Sequence, residues 1–281
     1  MRLSIITPSF RSSAWLKLCI ASVADQGVEL EHIVQDSCSD DGTQEWLQSD
    51  RRVRAYIEKD AGMYDAVNRG MRRSSGDVVG YLNCDEEYLP GALREVSEYF
   101  DQHPRVDILF ADCVVVDAEG EFLCYRKVQL PFTPHVMVAT LPTFTCSMFF
   151  RRKLLDQGFY FEPKLRAVGD ADWVLRALAA KIPMGILRRY VSTFADTGVN
   201  LMLTPDAQRE KRELFLQAPK WAQVLAPALV AHHRLRRWLG GIYRQEPFAY
   251  AIYTKKSPEK RVTHHVAHPT FIWKSRLSWR G

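Results

Sequence analysis
The chain is expected to be an α/β protein: a mainly parallel sheet flanked by helices, with a smaller antiparallel part and a basic, helical C-terminal extension. Three features predict this. Through roughly the first 110 residues, β-branched apolar runs alternate with segments whose apolar residues recur at helical spacing, the pattern of right-handed βαβ units. Beyond that point a hairpin turned at Asp117-Ala118-Glu119-Gly120 replaces parallel with antiparallel pairing. Arginine and lysine then gather in the last third, around a further stretch of helical spacing.

Taken in order, Arg2 to Thr7 is a β-branched run stopped by Pro8-Ser9, and Ser12 to Gln26 carries Trp15, Leu16, Leu18, Cys19, Ile20 and Val23 on a helix. Leu30 to Gln35 is a second strand, the polar loop from Asp36 to Gly42 follows, and Asp41-Gly42-Thr43 gives a short helix a capped start. Val53 to Glu58 is a third strand. Asp60-Ala61-Gly62 is a turn, Tyr64 to Arg73 a helix, and Val78 to Leu82 a buried strand that ends in Asn83-Cys84-Asp85-Glu86-Glu87. Pro90 to His103 reads as a helix with proline at its start, Asp107 to Phe110 and Phe144 to Phe150 as strands, and Arg152 to Gln157 as a short helix. A helix from Trp173 to Ala180 follows the pair Asp170 and Asp172. Thr204 to Gln217 is a charged helix, and Trp221 to Tyr243 combines apolar residues with His232, His233, Arg234, Arg236 and Arg237.

A chain of 281 residues, 47% hydrophobic, is long enough for a sizeable core, which excludes disorder as its main state. The formal charge of +5 comes from the basic tail, which calls for an anionic partner: membrane lipid, a phosphorylated acceptor or nucleic acid. Six cysteines lie scattered without a CxxC pair or a zinc-like spacing, as expected of free thiols in a reducing cytosol. No leader-like apolar region opens the chain, and no window approaches the ~20 apolar residues that span a bilayer. The first loop, Thr7-Pro8-Ser9-Phe10, is neither GxGxxG nor GxxxxGK[ST], so a glycine cradle for phosphate is absent there. Carboxylates at the C-terminal end of a strand instead suggest a divalent cation beside a phosphate-bearing substrate.

Several segments together resemble one family. SIITPSF at the N-terminus, Ser22 to Gln26 (S-x-x-x-Q), and Asp36 to Thr43 (DSCSDDGT against D-D-G-S-x-D-G-T) are similar to motifs of family 2 glycosyltransferases. Asp60 to Gly76 resembles their D-x-G-x-Y-D-A-x-N-x-G form, LNCDE at 82–86 resembles L-N-S-D-D, and Val168 to Arg176 resembles E-D-x-[DE]-L-x-x-R. Three departures stand out: Asn83 where an Asp is common, Glu86 for Asp, and Gly169 for Glu.

The resemblance implies a GT-A, Rossmann-like fold of the kind that builds bacterial exopolysaccharide, O-antigen or capsule. Residues 1–200 would be the catalytic domain, with 1–110 the nucleotide-sugar half and 111–200 the acceptor half, and 201–281 the extension. It implies Mg²⁺ or Mn²⁺ held by Asp85 and Glu86, and a donor site from Thr7, Pro8, Ser9, Phe10, Asp36, Asp60, Tyr64, Asp65, Asn68, Asn83 and Cys84. Asp170 or Asp172 would be the base that takes the acceptor hydroxyl's proton, although each also suits a helix cap. The expected reaction is inverting transfer of a hexose-type sugar from a nucleotide diphosphate, UDP first, to a glycan or polyprenyl-linked glycan. The basic extension would rest on the anionic inner face of the plasma membrane, and nucleic acid is not an expected partner. The rival reading is a catalytically inactive member that binds sugar or acts as a scaffold.

Overall fold
The computed structural model describes residues 1–138, 141–198 and 204–273. Its strands are β1 Leu3–Ser9, β2 Leu30–Asp36, β3 Arg54–Ile57, β4 Val78–Tyr81, β5 Glu87–Tyr88, β6 Ile108–Asp117, β7 Phe122–Arg126, β8 Met148–Arg151, β9 Met184–Asp196, β10 Phe248–Thr254 and β11 Ser257–Val266. The helices are α1 Ser13–Ala24, α2 Thr43–Leu47, α3 Met63–Arg73, α4 Ala92–Gln102, α5 Thr133–Val138, α6 Lys153–Asp156, α7 Gly169–Ala179, α8 Pro205–Gln217, α9 Lys220–Val224 and α10 Ala226–Leu239.

Nine strands form one sheet in the order β3-β2-β1-β4-β8-β6-β9-β5, with β7 on β6. The first four are parallel; β8 then joins antiparallel to both β4 and β6, while β9 runs parallel to β6. The expected strand at 107–110 and the first arm of the expected hairpin are one continuous strand, β6. The thirteen-residue β9 was not among the expected elements; Arg188-Arg189 breaks its apolar run.

Because side chains alternate along a strand, β1 builds two cores at once. Leu3 and Ile5 pack with Cys19 and Val23 of α1 and with Leu93, Val96 and Phe100 of α4. Ile6 faces the other layer, with Tyr64, Val67 and Met71 of α3 and Trp173 of α7. Helix α3 lies so close to β1 that a Cβ on Gly70 would come within 2.4 Å of Ile6 Cγ2.

The extension is helical over α8 to α10, as expected, but it ends in the hairpin β10-β11, which the sequence did not announce. Tyr250, Ile252 and Val266 of the hairpin bury against Leu89, Val114, Val116 and Ala195. Each such side chain contributes about 1.5–3 kcal/mol. Arg261 completes the attachment: it pairs with both carboxylate oxygens of Asp25 at 2.6 and 2.7 Å and donates to the carbonyls of Tyr88, Ala251 and Ser22. Arg261→Ala is therefore expected to lower stability by about 2 kcal/mol, read by chemical denaturation, because it strands half-buried acceptors. The expected boundary at 200/201 lies outside the described residues. Among the described residues, no helix is long and apolar enough to cross a membrane.

Candidate active site
The parallel half of the sheet delivers its C-terminal ends to one edge. Ser9 of β1 and Asp36 of β2 are register partners there. The Asp36 carboxylate is buried and accepts from Ser39 N at 2.8 Å and Ser39 Oγ at 2.7 Å, which shapes the 36–41 loop while leaving each oxygen a further lone pair. Asp41 accepts from Ser13 N, Thr43 N and Thr43 Oγ1, so it caps and ties α1 to α2. Phe10 is 47% exposed, with the Arg11 guanidinium and the Lys59 ammonium 5.0 and 5.3 Å from its ring centre. Thr7 points away from this edge: its hydroxyl lies 2.9 Å from Nε2 of His32, whose pKa burial lowers to about 3. Pro8 is buried, and Ser9 Oγ is buried without a partner.

Next comes the loop after β4. Asn83 Oδ1 accepts from the Tyr81 hydroxyl at 2.8 Å, and Asn83 N donates to Glu86 Oε2 at 2.7 Å. Cys84 packs beside Leu16, Ile20, Val34 and Leu47, and burial pushes its thiol up to about 12, so it is a filler and no nucleophile. Asp85 lines a small cavity with Trp15, Thr193, Ala195 and Lys255, and burial raises its pKa. Glu86 is 1% exposed, and burial raises its pKa well above the usual range. Ser22 of α1 and Gln26 in the turn after it hold β5 and the start of α4. Ser22 Oγ accepts from Tyr88 N, and the Gln26 amide bridges Leu89 O and Leu93 N, which gives the S-x-x-x-Q spacing a structural reason. Glu87 accepts from Tyr253 N of the hairpin, and burial pushes it up to about 8.

The donor set suits one hard divalent cation in a limited way. No other residue among those described donates a hydrogen bond to Asp85, and Glu86 Oε1 is buried with no partner. No cluster of three ligating side chains occurs among the described residues, so substrate oxygens and water would complete the shell of Mg²⁺ or Mn²⁺.

The turn and helix at 60–68 face α7. Asp60 accepts from Gly62 N, Asp65 accepts from Ala61 N and from Arg69, and Arg166 reaches back to the Ala61 carbonyl. Asn68 is buried and pairs through both amide atoms with the Phe161 backbone, at 2.8 and 2.9 Å. Tyr64 stacks on Phe161 at 5.1 Å and accepts from Asp170 N at 3.3 Å. Its ring fills the space beside Gly169, where an added Cβ would lie 2.5 Å from Tyr64 Cε2. The glycine that replaces the family's Glu is thus the room that Tyr64 needs.

The two acids of α7 separate by their partners. Asp172 is paired with Arg176 Nε at 2.9 Å. Asp170 accepts only from Ala171 N at 2.8 Å among side-chain bonds, and burial pushes its pKa up to about 6. Tyr81 and Tyr64 pack on the same Phe161 ring, at 5.9 and 5.1 Å; the Tyr81 hydroxyl donates to Asn83 of the loop after β4, and the Tyr64 hydroxyl accepts from Asp170 N. Residues far apart in sequence therefore meet on one aromatic cluster.

Tyr81, Arg166 and Lys255 were not singled out in the sequence. Tyr81 alone left a signal, as a polar-tipped aromatic closing the aliphatic strand Val78-Val79-Gly80, where a buried hydroxyl requires a partner.

A family model described as "Glycosyl transferase family 2" matches residues 4–159. A putative teichuronic acid biosynthesis glycosyltransferase, TuaG of Bacillus subtilis, is 32% identical over 34% of this chain and 40% of its own length. A GalNAc(5)-diNAcBac-PP-undecaprenol beta-1,3-glucosyltransferase of Campylobacter jejuni is 33% identical over 42% of this chain and 40% of its own. The matched part thus spans about two fifths of those relatives. A PGL/p-HBAD biosynthesis glycosyltransferase of Mycobacterium bovis is 28% identical over 81% of this chain and 93% of its own. Among solved structures, S. aureus TarS 1-349 in complex with UDP-GlcNAc superposes with TM-score 0.62 at 18% identity, covering 85% of this chain and 73% of that 1-349 chain. These likenesses give the fold as GT-A.

Proposed function
Since the chain belongs to glycosyl transferase family 2, we propose that it moves a hexose-type sugar from a UDP-sugar to a hydroxyl of a lipid-linked glycan in cell-surface polysaccharide biosynthesis, with inversion at the anomeric carbon. The observation that carries this reading is the shared packing of Tyr64 and Tyr81 on Phe161: the Tyr64 hydroxyl accepts from Asp170 N and the Tyr81 hydroxyl donates to Asn83, two residues before Asp85, which puts a candidate base and a candidate metal ligand on either side of one aromatic cluster.

In this reading the base of the nucleotide lies between Asp36, which accepts from a ring N–H, and the exposed face of Phe10, with Arg11 and Lys59 beside the phosphates. The TarS complexes with UDP-GlcNAc and UDP support the UDP choice, and a Pyrobaculum calidifontis mannosyltransferase in complex with GDP-Man and Mn²⁺ supports a metal; it superposes with TM-score 0.53 at 16% identity, covering 83% of this chain and 75% of its own. Asp85, with Glu86 behind it, would hold a Mg²⁺ or Mn²⁺ that neutralises charge on the leaving diphosphate. Asp170 takes the acceptor hydroxyl's proton as the oxygen attacks the face opposite that leaving group. Asp172, held by Arg176, orients the helix that carries it. The undecaprenol in the name of the C. jejuni relative supports a lipid-linked acceptor.

A donor screen by nucleotide release over UDP, GDP and dTDP sugars, with and without Mn²⁺ and detergent-solubilised lipid acceptor, tests this. UDP-sugar turnover is expected, and Asp85→Ala should cut it about 10²-fold or more and remove the response to Mn²⁺. Equal nucleotide binding with no sugar transfer from either protein would leave the inactive sugar-binding reading in its place.

A further inference from the structure
Helix α10 is turned the wrong way round for a helix that only packs on its own domain. Its inner side holds the buried His233, beside His135 of α5, and the half-buried Arg237 over Phe271. The outward side carries Leu235, Trp238 and Leu239, exposed at 51, 62 and 69% and spaced to share one face. The preceding helix α9 adds the exposed Trp221 and Val224. Exposed large apolar side chains gathered in this way mark a contact surface.

Charge identifies the partner. From Ala218 to Gln245 there is no Asp or Glu, while Lys220, Arg234 and Arg244 are exposed around the apolar side chains. Tryptophans, aliphatic side chains and unopposed cations on one surface match the boundary of an anionic bilayer. At 14 residues, α10 is about 21 Å long, too short to cross the ~30 Å core, so the helix lies in the interface plane.

We propose that the outward face of α9 and α10 docks the enzyme on an anionic lipid surface. This rests on the lipid-linked acceptor of the reading above and gives it a geometry. Helix α5 packs on α10 through the His135–His232 contact at 3.1 Å and on α7 through Val136 against Val168 and Ala171. One short helix therefore separates the docked face from the helix that bears Asp170, which brings the base side of the site towards a membrane-borne hydroxyl.

The test is co-sedimentation of the full chain with vesicles of phosphatidylcholine alone or of equimolar phosphatidylcholine and phosphatidylglycerol. Binding to the anionic vesicles, weakened by salt, is expected. The triple variant Leu235→Gln, Trp238→Gln, Leu239→Gln should bind at least about tenfold more weakly, with an unchanged unfolding midpoint because these side chains are already exposed. Arg234→Gln with Arg244→Gln should lower both affinity and its salt dependence. Absence of vesicle binding, equal binding by the triple variant, or self-association in solution that the triple variant abolishes would overturn the proposal, the last by making a second copy the occupant. Vesicle binding requires no turnover, so its failure leaves transfer to a soluble acceptor untouched. Retained vesicle binding without any transfer would instead count against the enzymatic reading.

Discussion
Asp170→Asn is expected to abolish most sugar transfer, by about 10²–10⁴-fold, and at the same time to make the protein more stable at pH 7 to 8. The two effects share one cause. Burial holds the Asp170 carboxyl near 6 in the folded chain, against 3.8 for the ordinary group. Between those values the folded state keeps a proton that the unfolded state releases, so stability falls as pH rises through this window and stays low above it. Asparagine removes that penalty, on the order of 2–3 kcal/mol, and keeps an acceptor for the 2.8 Å bond from Ala171 N. In the wild type, kcat/KM should rise with pH through an apparent value near 6, since the base must be ionised. Thermal unfolding of both proteins from pH 4 to 8, beside their pH-rate profiles, checks the pair of effects. A variant that loses activity but gains no stability at neutral pH would mean that the Asp170 carboxyl does not carry the raised pKa described here. Asp172→Asn gives the contrast: with Arg176 as its partner at 2.9 Å, its loss should lower stability, and activity should fall less.

The parallel half of the fold was legible because short apolar runs alternate there with segments whose apolar residues recur at helical spacing, and such an alternation has few other folds open to it. The strands that escaped notice lack that pattern. β9 carries Arg188-Arg189 in its middle, and the arginines are tolerated because one of them, Arg188, reaches Asp112 at 3.2 Å. β11 is largely polar, and its pairing with Phe248–Thr254, the burial of Tyr250, Ile252 and Val266 and the bonds of Arg261 give the hairpin a reason to form. At the site, Asp85 was marked by the acidic cluster at the end of a strand and by the LNCDE motif, and Asp170 by the motif at Val168 to Arg176. What the sequence could not show is that the Asp60–Asn68 motif addresses α7: Asn68 grips Phe161, Ala61 receives Arg166, and Tyr64 lies against Gly169 and Asp170. Those partners are about a hundred residues away, and nothing local in a D-x-G-x-Y-D run specifies them.

That packing makes Gly169→Ala the second large expected effect. A methyl group there would stand 2.5 to 2.9 Å from three carbons of the Tyr64 ring, and the ring cannot swing into solvent because it is 3% exposed and stacked on Phe161. Either Tyr64 or the start of α7 must shift, at a cost of about 1–3 kcal/mol. Since Asp170 is the next residue, a displacement of about 1 Å is enough to spoil the approach to an acceptor hydroxyl, and kcat should fall about 10²-fold. In the proposed site the donor rests on Asp36, Phe10 and the Asp85 loop, none of which touches Gly169, so the donor KM should change little. Tyr64→Leu supplies the internal control. Alone it removes a packed ring and destabilises; in the Gly169→Ala background it removes the clash, so the double variant should be more stable than the sum of the two single effects predicts, by about 1 kcal/mol or more. Additive losses, or a donor KM that rises in step with the fall in kcat, would show instead that this glycine belongs to the donor site and that the Tyr64 contact does not position the base.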